Sequence, residues 1–304
     1  MQPNNWLSDL KVIIFDMDGT LYQDHTFMER YIRYLLADTE AEAHMESAVA
    51  LGTDILSGSH PVQCGHFYHV DEDVVLVRET GRFIQALNWE GNVVPIASGL
   101  ADAGADESVM MKQLVPFGDP WGVAAVIGRR YKLPERKRQE AFERVRREMV
   151  QEPYRFAYSS SLFEALAALT AVDKKIVMTN TYLESGLEFL HYMQIYPLFD
   201  EVYCGAEKPD GIAKYMTELL AQGYKPEQIL SVGDNPWNDL EPVRQLGGRT
   251  CLISPYASAE SSKWDIRLTE LDELEHLLRL TQQAITRKVS DDGHNRAYQY
   301  QQEV

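Results

Sequence analysis

The sequence predicts an α/β protein: a doubly wound parallel sheet that carries an inserted, mainly helical domain. Two observations lead there. Short apolar, β-branched runs alternate with stretches of helical periodicity, and one long segment interrupts that alternation directly after the first run.

The first run, Lys11–Phe15 (KVIIF), is continuously apolar after its lysine, the pattern of a strand covered on both faces. It stops at Asp16, and Gly19 follows. Four further runs come late in the chain: Lys175–Met178, Glu201–Cys204, Ile229–Val232 and Thr250–Ile253. Between them, Ser161–Leu169 sets Leu162, Leu166 and Leu169 on one helical face. Glu184–Met193 and Ile212–Leu220 repeat the pattern, the latter behind Pro209-Asp210-Gly211, a helix-start signal. Strands joined through helices lie parallel, and ligands on such sheets gather beyond the carboxyl ends of the strands. Asp16, Thr179 and Asp234 each come just after a run, so all three are expected at one sheet edge.

Residues 23–157 are too many for a connection within one compact domain and are expected to form the inserted domain. Residues 1–22 and 158–280 then make the core. Phe27, Tyr31, Tyr34 and Leu35 fall at helical spacing. A second helix is expected over Ala41–Leu56, β-like alternation over His66–Ile96, and a charged helix over Pro134–Gln151 with Phe142, Val145 and Met149 as its apolar stripe. The polar tail, 281–304, is broken at Ser290-Asp291-Asp292-Gly293 and is expected to be disordered or a loosely attached helix.

Composition narrows the functional class. The 304 residues are 45% hydrophobic and 25% charged, the balance of a soluble globular protein. A membrane span is not expected, and the opening residues lack the pattern of a signal peptide. Three scattered cysteines, Cys64, Cys204 and Cys251, suit a reducing compartment, and a cytoplasmic location follows as the default. A formal charge of -17 argues against nucleic acid and anionic membrane as partners. An anionic substrate would need positive charge supplied locally.

The densest chemistry is Asp16-Met17-Asp18-Gly19-Thr20-Leu21, directly after the first strand. One carboxylate can attack phosphorus while the other gives and takes a proton, and Gly19 lets the chain turn sharply. Read locally, the same residues are an acidic hairpin turn, which the parallel pattern disfavours. Ser231–Asp239 (SVGDNPWND) again runs a strand into an acidic loop, and Asp234 and Asp239 add carboxylates of the kind magnesium prefers. Its bland alternative is a helix cap at Asn238 or Asp239. Thr179-Asn180 can offer a hydroxyl and backbone N–H groups to a phosphate, and Lys208 a point charge.

In this order and context the four segments resemble the haloacid dehalogenase-like (HAD) hydrolase superfamily. Asp16-x-Asp18-Gly19-Thr20 resembles its first motif, Thr179 its second, Lys208 its third and Gly233-Asp234-x-x-x-x-Asp239 its fourth. The insertion sits where the family's C1 caps sit but is longer than the compact caps of common members. The resemblance implies a Rossmann-like core and a phosphatase that forms an aspartyl-phosphate. Asp16 would be the nucleophile, and Asp18 the proton donor and then the base for water. Asp16, the Asp18 backbone carbonyl and Asp234 would hold Mg2+. Asp239 would bind the metal through water or orient Lys208, and Thr179, Asn180 and Lys208 would hold phosphoryl oxygens. Asp18 favours phosphate esters over organohalides, since dehalogenases of the superfamily lack the second carboxylate. The expected partner is a small phosphorylated metabolite. A sugar phosphomutase and a catalytically silent binding or regulatory protein are the alternatives.

Outside the motifs, Tyr22 stands closest to the site and is the expected substrate contact. Phe27, Tyr31 and Tyr34 either line a leaving-group pocket or pack the cap. His60, Cys64, His66 and His69 carry zinc-binding side chains at a spacing that matches no firm zinc pattern. The basic residues Arg129, Arg130, Lys132, Arg136, Lys137, Arg138, Arg144, Arg146 and Arg147 read first as a solvated helix face paired with Glu140, Glu143 and Glu148, and second as a surface that meets an anionic leaving group or a nucleotide.

Overall fold

The structure is a computed structural model that describes residues 5–79, 82–96, 114–256 and 263–302, with side chains up to residue 291. The ends of the expected core and tail, 1–4 and 303–304, lie outside the described residues.

The core is a six-stranded sheet, β1 (Val12–Phe15), β7 (Lys174–Thr179), β8 (Glu201–Cys204), β9 (Ile229–Gly233), β10 (Arg249–Ile253) and β11 (Ile266–Leu268). Its order is β11-β10-β9-β1-β7-β8, and every pairing is parallel. The chain builds outward from β1 to β8, then returns to the other side of β1 with β9. That reversal makes a crevice at the carboxyl ends of β1 and β9. The amide N–H of Asp16 donates to the Val232 carbonyl (2.9 Å), which closes the last rung beside it.

The apolar run of β1 divides between two faces. Ile13 and Phe15 join the larger core, while Val12 and Ile14 pack with Ile176, Met178, Met216 and Leu219 on the other side. All four are essentially buried, at about 1.5–3 kcal/mol each relative to exposure. A strand with both faces covered has no polar position to alternate. The helices that cover it are α5 (Ser160–Ala168), α6 (Leu183–Tyr192), α7 (Asp210–Ala221), the short α8 (Glu241–Gln245) and α9 (Leu271–Gln302).

The insertion contains the helices α1 (Phe27–Leu36), α2 (Met45–Ser57), α3 (Pro120–Arg130) and α4 (Glu135–Glu148). It also contains a five-stranded sheet of order β5-β4-β3-β2-β6, antiparallel throughout: β2 (Phe67–His69), β3 (Val74–Glu79), β4 (Arg82–Leu87), β5 (Val93–Val94) and β6 (Leu114–Pro116). Its helices hold more residues than its strands, but "mainly helical" understates this sheet. The alternation over His66–Ile96 was its trace. Insertion and core share one continuous apolar cluster, with Tyr22 stacked on Phe156 at 4.0 Å.

The tail is helical, one of the two expected alternatives, but lacks the expected break. α9 runs through Ser290–Gly293 without a break, because a helix can carry a polar sequence when only one stripe is covered. That stripe, Leu274, Leu277, Leu278, Thr281 and Ile285, is buried, and α9 packs on α5 and the 3-10 turn Asn5–Asp9. Gln282 Oε1 accepts from the amides of Thr170 and Ala171 (2.9 and 3.0 Å). Among the described residues no helix is long and apolar enough to cross a membrane. If the tail is docked in this way, Ile285→Ala costs about 2–4 kcal/mol in urea denaturation; an unchanged midpoint would show a detached segment.

Candidate active site

The crevice beyond β1 and β9 opens into a cavity of roughly 280 Å3. Asp16, Asp18, Thr179, Asn180, Lys208, Asp234 and Asp239 all line it, so the strand ends gather every residue of the four motifs singled out for catalysis, phosphate or metal. Asp16 follows β1, Thr179 ends β7 and Asp234 follows β9. Gly19 has φ +77°, and a Cβ there would fall 2.1 Å from Asp234 Oδ2. The glycine is what lets the two acidic loops close on each other.

Lys208 Nζ lies 2.6 Å from Asp16 Oδ1 and 2.6 Å from Asp239 Oδ1, and all three side chains are buried. Burial opposes its charge, but Asp16 and Asp239 outweigh it and raise its pKa. Asp239 is fixed in turn: its Oδ2 accepts from the Asn235 amide (3.0 Å), and Ser231 Oγ donates to its carbonyl (2.8 Å). The helical turn that contains it, Pro236–Leu240, is capped by Asn235, whose Oδ1 accepts from the Asn238 amide (3.1 Å), and not by Asn238 or Asp239. Asn180 holds the Lys208 backbone from both sides, its Oδ1 accepting at 2.7 Å and its Nδ2 donating at 3.0 Å. Its second Nδ2 hydrogen and its backbone N–H are the donors left for a phosphate.

Asp16, Asp234 and Asp239 each bring a carboxylate oxygen within 4.8 Å of the others. Burial pushes the Asp16 carboxyl up to about 8 against the pull of Lys208. Burial, then the charges of Asp119, Asp16 and Asp239, raise Asp234 well above the carboxylate range. One ammonium does not neutralise this many buried acids. The donor set is all oxygen and suits a hard divalent cation, which would lower both pKa values.

Asp18 is held differently. Burial would raise its pKa, but the charge of Arg146 and hydrogen bonds from Tyr22, Arg146 and Thr181 lower it. Tyr22 Oη and Arg146 Nη1 both donate to Oδ1, while Oδ2 accepts from Thr181 Oγ1 (2.9 Å) and Thr179 Oγ1 (3.4 Å). Tyr22, expected at the substrate, does not line this cavity: its ring is buried against Phe156 and its hydroxyl serves Asp18.

Thr181, Trp121, Asp119 and Arg146 are site residues that were missed. Asp119 caps α3 through the Gly122 amide (2.6 Å) and takes the Asn235 side-chain amide on its other oxygen (2.6 Å), joining cap to core. The Asp119-Pro120 pair at a helix start was the available signal. Arg146 belongs to the basic run expected to be solvated. Arg136 and Arg144 do pair at the surface with Glu140 (2.7 Å) and Glu148 (3.2 Å). Arg146 instead is 1% exposed, because Phe142, Val145, Arg146 and Met149 form a single stripe at helical spacing.

The aromatic expectations divide. Tyr31 lines the cavity with Trp121 and Phe142, whereas Phe27 stacks on Trp121 (3.9 Å) and Tyr34 bonds Glu148. The histidine cluster gathers no metal site among the described residues. Nδ1 of His60, His66 and His69 faces the amides of Val62, Gln63 and Glu72. Burial lowers His66 to about 4, so its ring is neutral.

With the geometry in hand, comparison identifies the class. A family model for haloacid dehalogenase-like hydrolases matches residues 10–247, most of the chain, and the protein belongs to that family. No curated protein matches the sequence. Similar solved structures include a candidate phosphatase from Clostridium difficile, 12% identical, covering 88% of this chain and 98% of that one at a TM-score of 0.49. A haloacid dehalogenase-like family hydrolase from Xanthomonas campestris is 16% identical over 91% and 98%, TM-score 0.42. The candidate HAD-hydrolase YfnB from Bacillus subtilis, solved bound to magnesium, is 15% identical over 88% and 98%, TM-score 0.46.

The acidic cluster has a thermodynamic signature. Asp16, near 3.8 when unfolded and about 8 when folded, keeps a proton in the native state that the unfolded chain has released. Stability of metal-free protein therefore falls as pH rises across that window. Should the acidic cluster take Mg2+, the ion at about 100 times its Kd is expected to add roughly 2.7 kcal/mol, or about 5 °C in Tm, at pH 8. Asp234→Asn flattens the pH slope and removes the Mg2+ response. A Tm indifferent to both pH and Mg2+ in the unsubstituted protein would contradict this reading.

Proposed function

We propose that the protein is a magnesium-dependent phosphohydrolase that cleaves phosphate monoesters of a small metabolite through an aspartyl-phosphate. The observation that carries this is the Asp16 carboxylate at the end of β1, facing the cavity with Lys208 Nζ at 2.6 Å. Two unit charges 4 Å apart interact by about 4 kcal/mol at an effective dielectric near 20, close to three powers of ten in rate. A bare carboxylate would repel a phosphate by that much. Lys208 and a bound Mg2+ together would turn the interaction favourable on the side where phosphoryl charge must sit.

In the first displacement an Asp16 oxygen bonds to phosphorus as the ester P–O bond breaks, and Asp18 gives its proton to the departing oxygen. In the second, water attacks phosphorus and passes a proton to Asp18. The bond to Asp16 then breaks and phosphate leaves. Thr179 and Lys208 are placed to hold phosphoryl oxygens. Asp16, Asp234 and the Asp18 backbone carbonyl would hold Mg2+, which supplies charge neutralisation at the phosphoryl group. Asp239 orients Lys208.

Tyr31, Trp121 and Phe142 at the far wall support a leaving group with apolar surface, small enough for the cavity. A panel of phosphorylated metabolites with Mg2+ tests the activity by phosphate release. Asp16→Asn is expected to lower release by at least about a thousandfold with an unchanged circular dichroism spectrum. Retained turnover in that variant would remove Asp16 from the nucleophile's role.

A further inference from the structure

We propose that Arg146, supplied by the inserted domain, is a positioning residue that fixes the plane of the Asp18 carboxylate, so that one of its oxygens is kept toward the scissile bond. The proposal rests on the phosphohydrolase reading above.

Asp18 Oδ1 is taken by two donors, Arg146 Nη1 and Tyr22 Oη, and Tyr22 Oη lies 3.3 Å from the same guanidinium nitrogen. Oδ2 is left on the side of Thr179 and Thr181, both of which line the cavity. An unrestrained aspartate turns its carboxylate plane over a wide range about χ2, a broad torsion. Here that rotation would break a charge-assisted bond and a phenol bond at once. Oδ2 is thus the oxygen that carries the proton to and from the reacting centre.

Arg146 is itself fixed. Its Nε donates to Ser185 Oγ in the first turn of α6 (2.9 Å), and its guanidinium carbon lies 3.6 Å from the Phe189 ring centroid. Its Nη2 is buried without a hydrogen-bond partner among the described residues. An unmade buried bond of this kind costs about 1–3 kcal/mol, and an apolar side chain would fill the same aromatic niche without it. Packing alone therefore accounts poorly for an arginine here. The carboxylate it holds accounts for it well.

The test exploits what the Asp18 proton does. An alkyl phosphate expels a strongly basic alkoxide and needs the proton; p-nitrophenyl phosphate expels a stable phenolate and needs it little. Arg146→Met is expected to lower kcat/KM for an alkyl phosphate by about 30-fold or more, within the usual span of general acid catalysis, and for p-nitrophenyl phosphate by only a few-fold. Phosphoenzyme should accumulate with the second substrate, seen by intact mass, because water activation uses the same oxygen. Arg146→Lys should recover part of the loss. Ser185→Ala, which leaves the arginine in place but frees its Nε, should show the same leaving-group pattern more weakly. It also keeps the test open if Arg146→Met fails to fold by thermal melting. Equal losses on both substrates, or no loss in Arg146→Met or Ser185→Ala, would overturn the role. Failure of the unsubstituted protein to hydrolyse either ester would strike the phosphohydrolase reading instead.

Discussion

The constraint on which the site depends is a surplus of buried negative charge. Asp16, Asp18, Asp119, Asp234 and Asp239 line one cavity, in a protein already at -17. Two basic side chains hold this arrangement, at different points. Lys208 bridges Asp16 and Asp239, and Arg146 ties Asp18. Neither cation is left to drift, since the Asn180 amide fixes one backbone and Ser185 and Phe189 fix the other head group. Two carboxylates only two residues apart thus acquire opposite tendencies. Asp16 is raised by burial, and Asp18 is lowered by its partners. A nucleophile that must be ionised and an acid that must hold a proton need the reverse order, which a divalent cation beside Asp16 and a phosphate beside Asp18 would restore.

The sheet makes this concentration of charge tolerable by making it unavoidable. β1 is buried on both faces, so Asp16 cannot leave the sheet edge without pulling Ile13, Phe15 and their partners into water. Parallel pairing to β7 and β9 then brings Thr179 and Asp234 alongside, and Gly19 removes the one side chain that would keep the acidic loops apart. The insertion completes the enclosure. Its Asp119 meets Asn235 of the core, and its Tyr31, Trp121 and Phe142 wall the far side. Exclusion of water behind that wall strengthens each interaction within it.

Much of this was legible in the sequence, for identifiable reasons. Four of the six core strands, β1, β7, β9 and β10, announced themselves because strands buried on both faces are mostly apolar, and the edge strand β8 did so through its β-forming residues alone. β11, only Ile266–Leu268, is too short to show a pattern. The motif residues sat next to strand ends, so the topology alone brought them together. What was not legible depended on side-chain direction. Arg146 was counted with its charged neighbours because charge was weighed before helical phase; its place between Val145 and Met149 on the apolar stripe was the better guide. Tyr22 was judged by nearness in sequence, but its ring points into the core. In the polar tail only the expected break failed: α9 continues through Ser290–Gly293, and beyond the buried Thr281 and Ile285 its residues 286–291 are exposed, as a loosely attached helix would be.

The link between Arg146 and Asp18 also bears on how such a protein can change over time. Insertions of this kind are often regarded as interchangeable lids, grafted onto a conserved engine to alter what it accepts. Here the engine and the lid share a part. A replacement insertion that lacked an arginine at the place of Arg146, or a core that lost Tyr22 or Ser185, would inherit an aspartate with one of its moorings gone. Recombination between relatives would then preserve the motifs yet lose the alignment, and the two segments would be expected to pass down together.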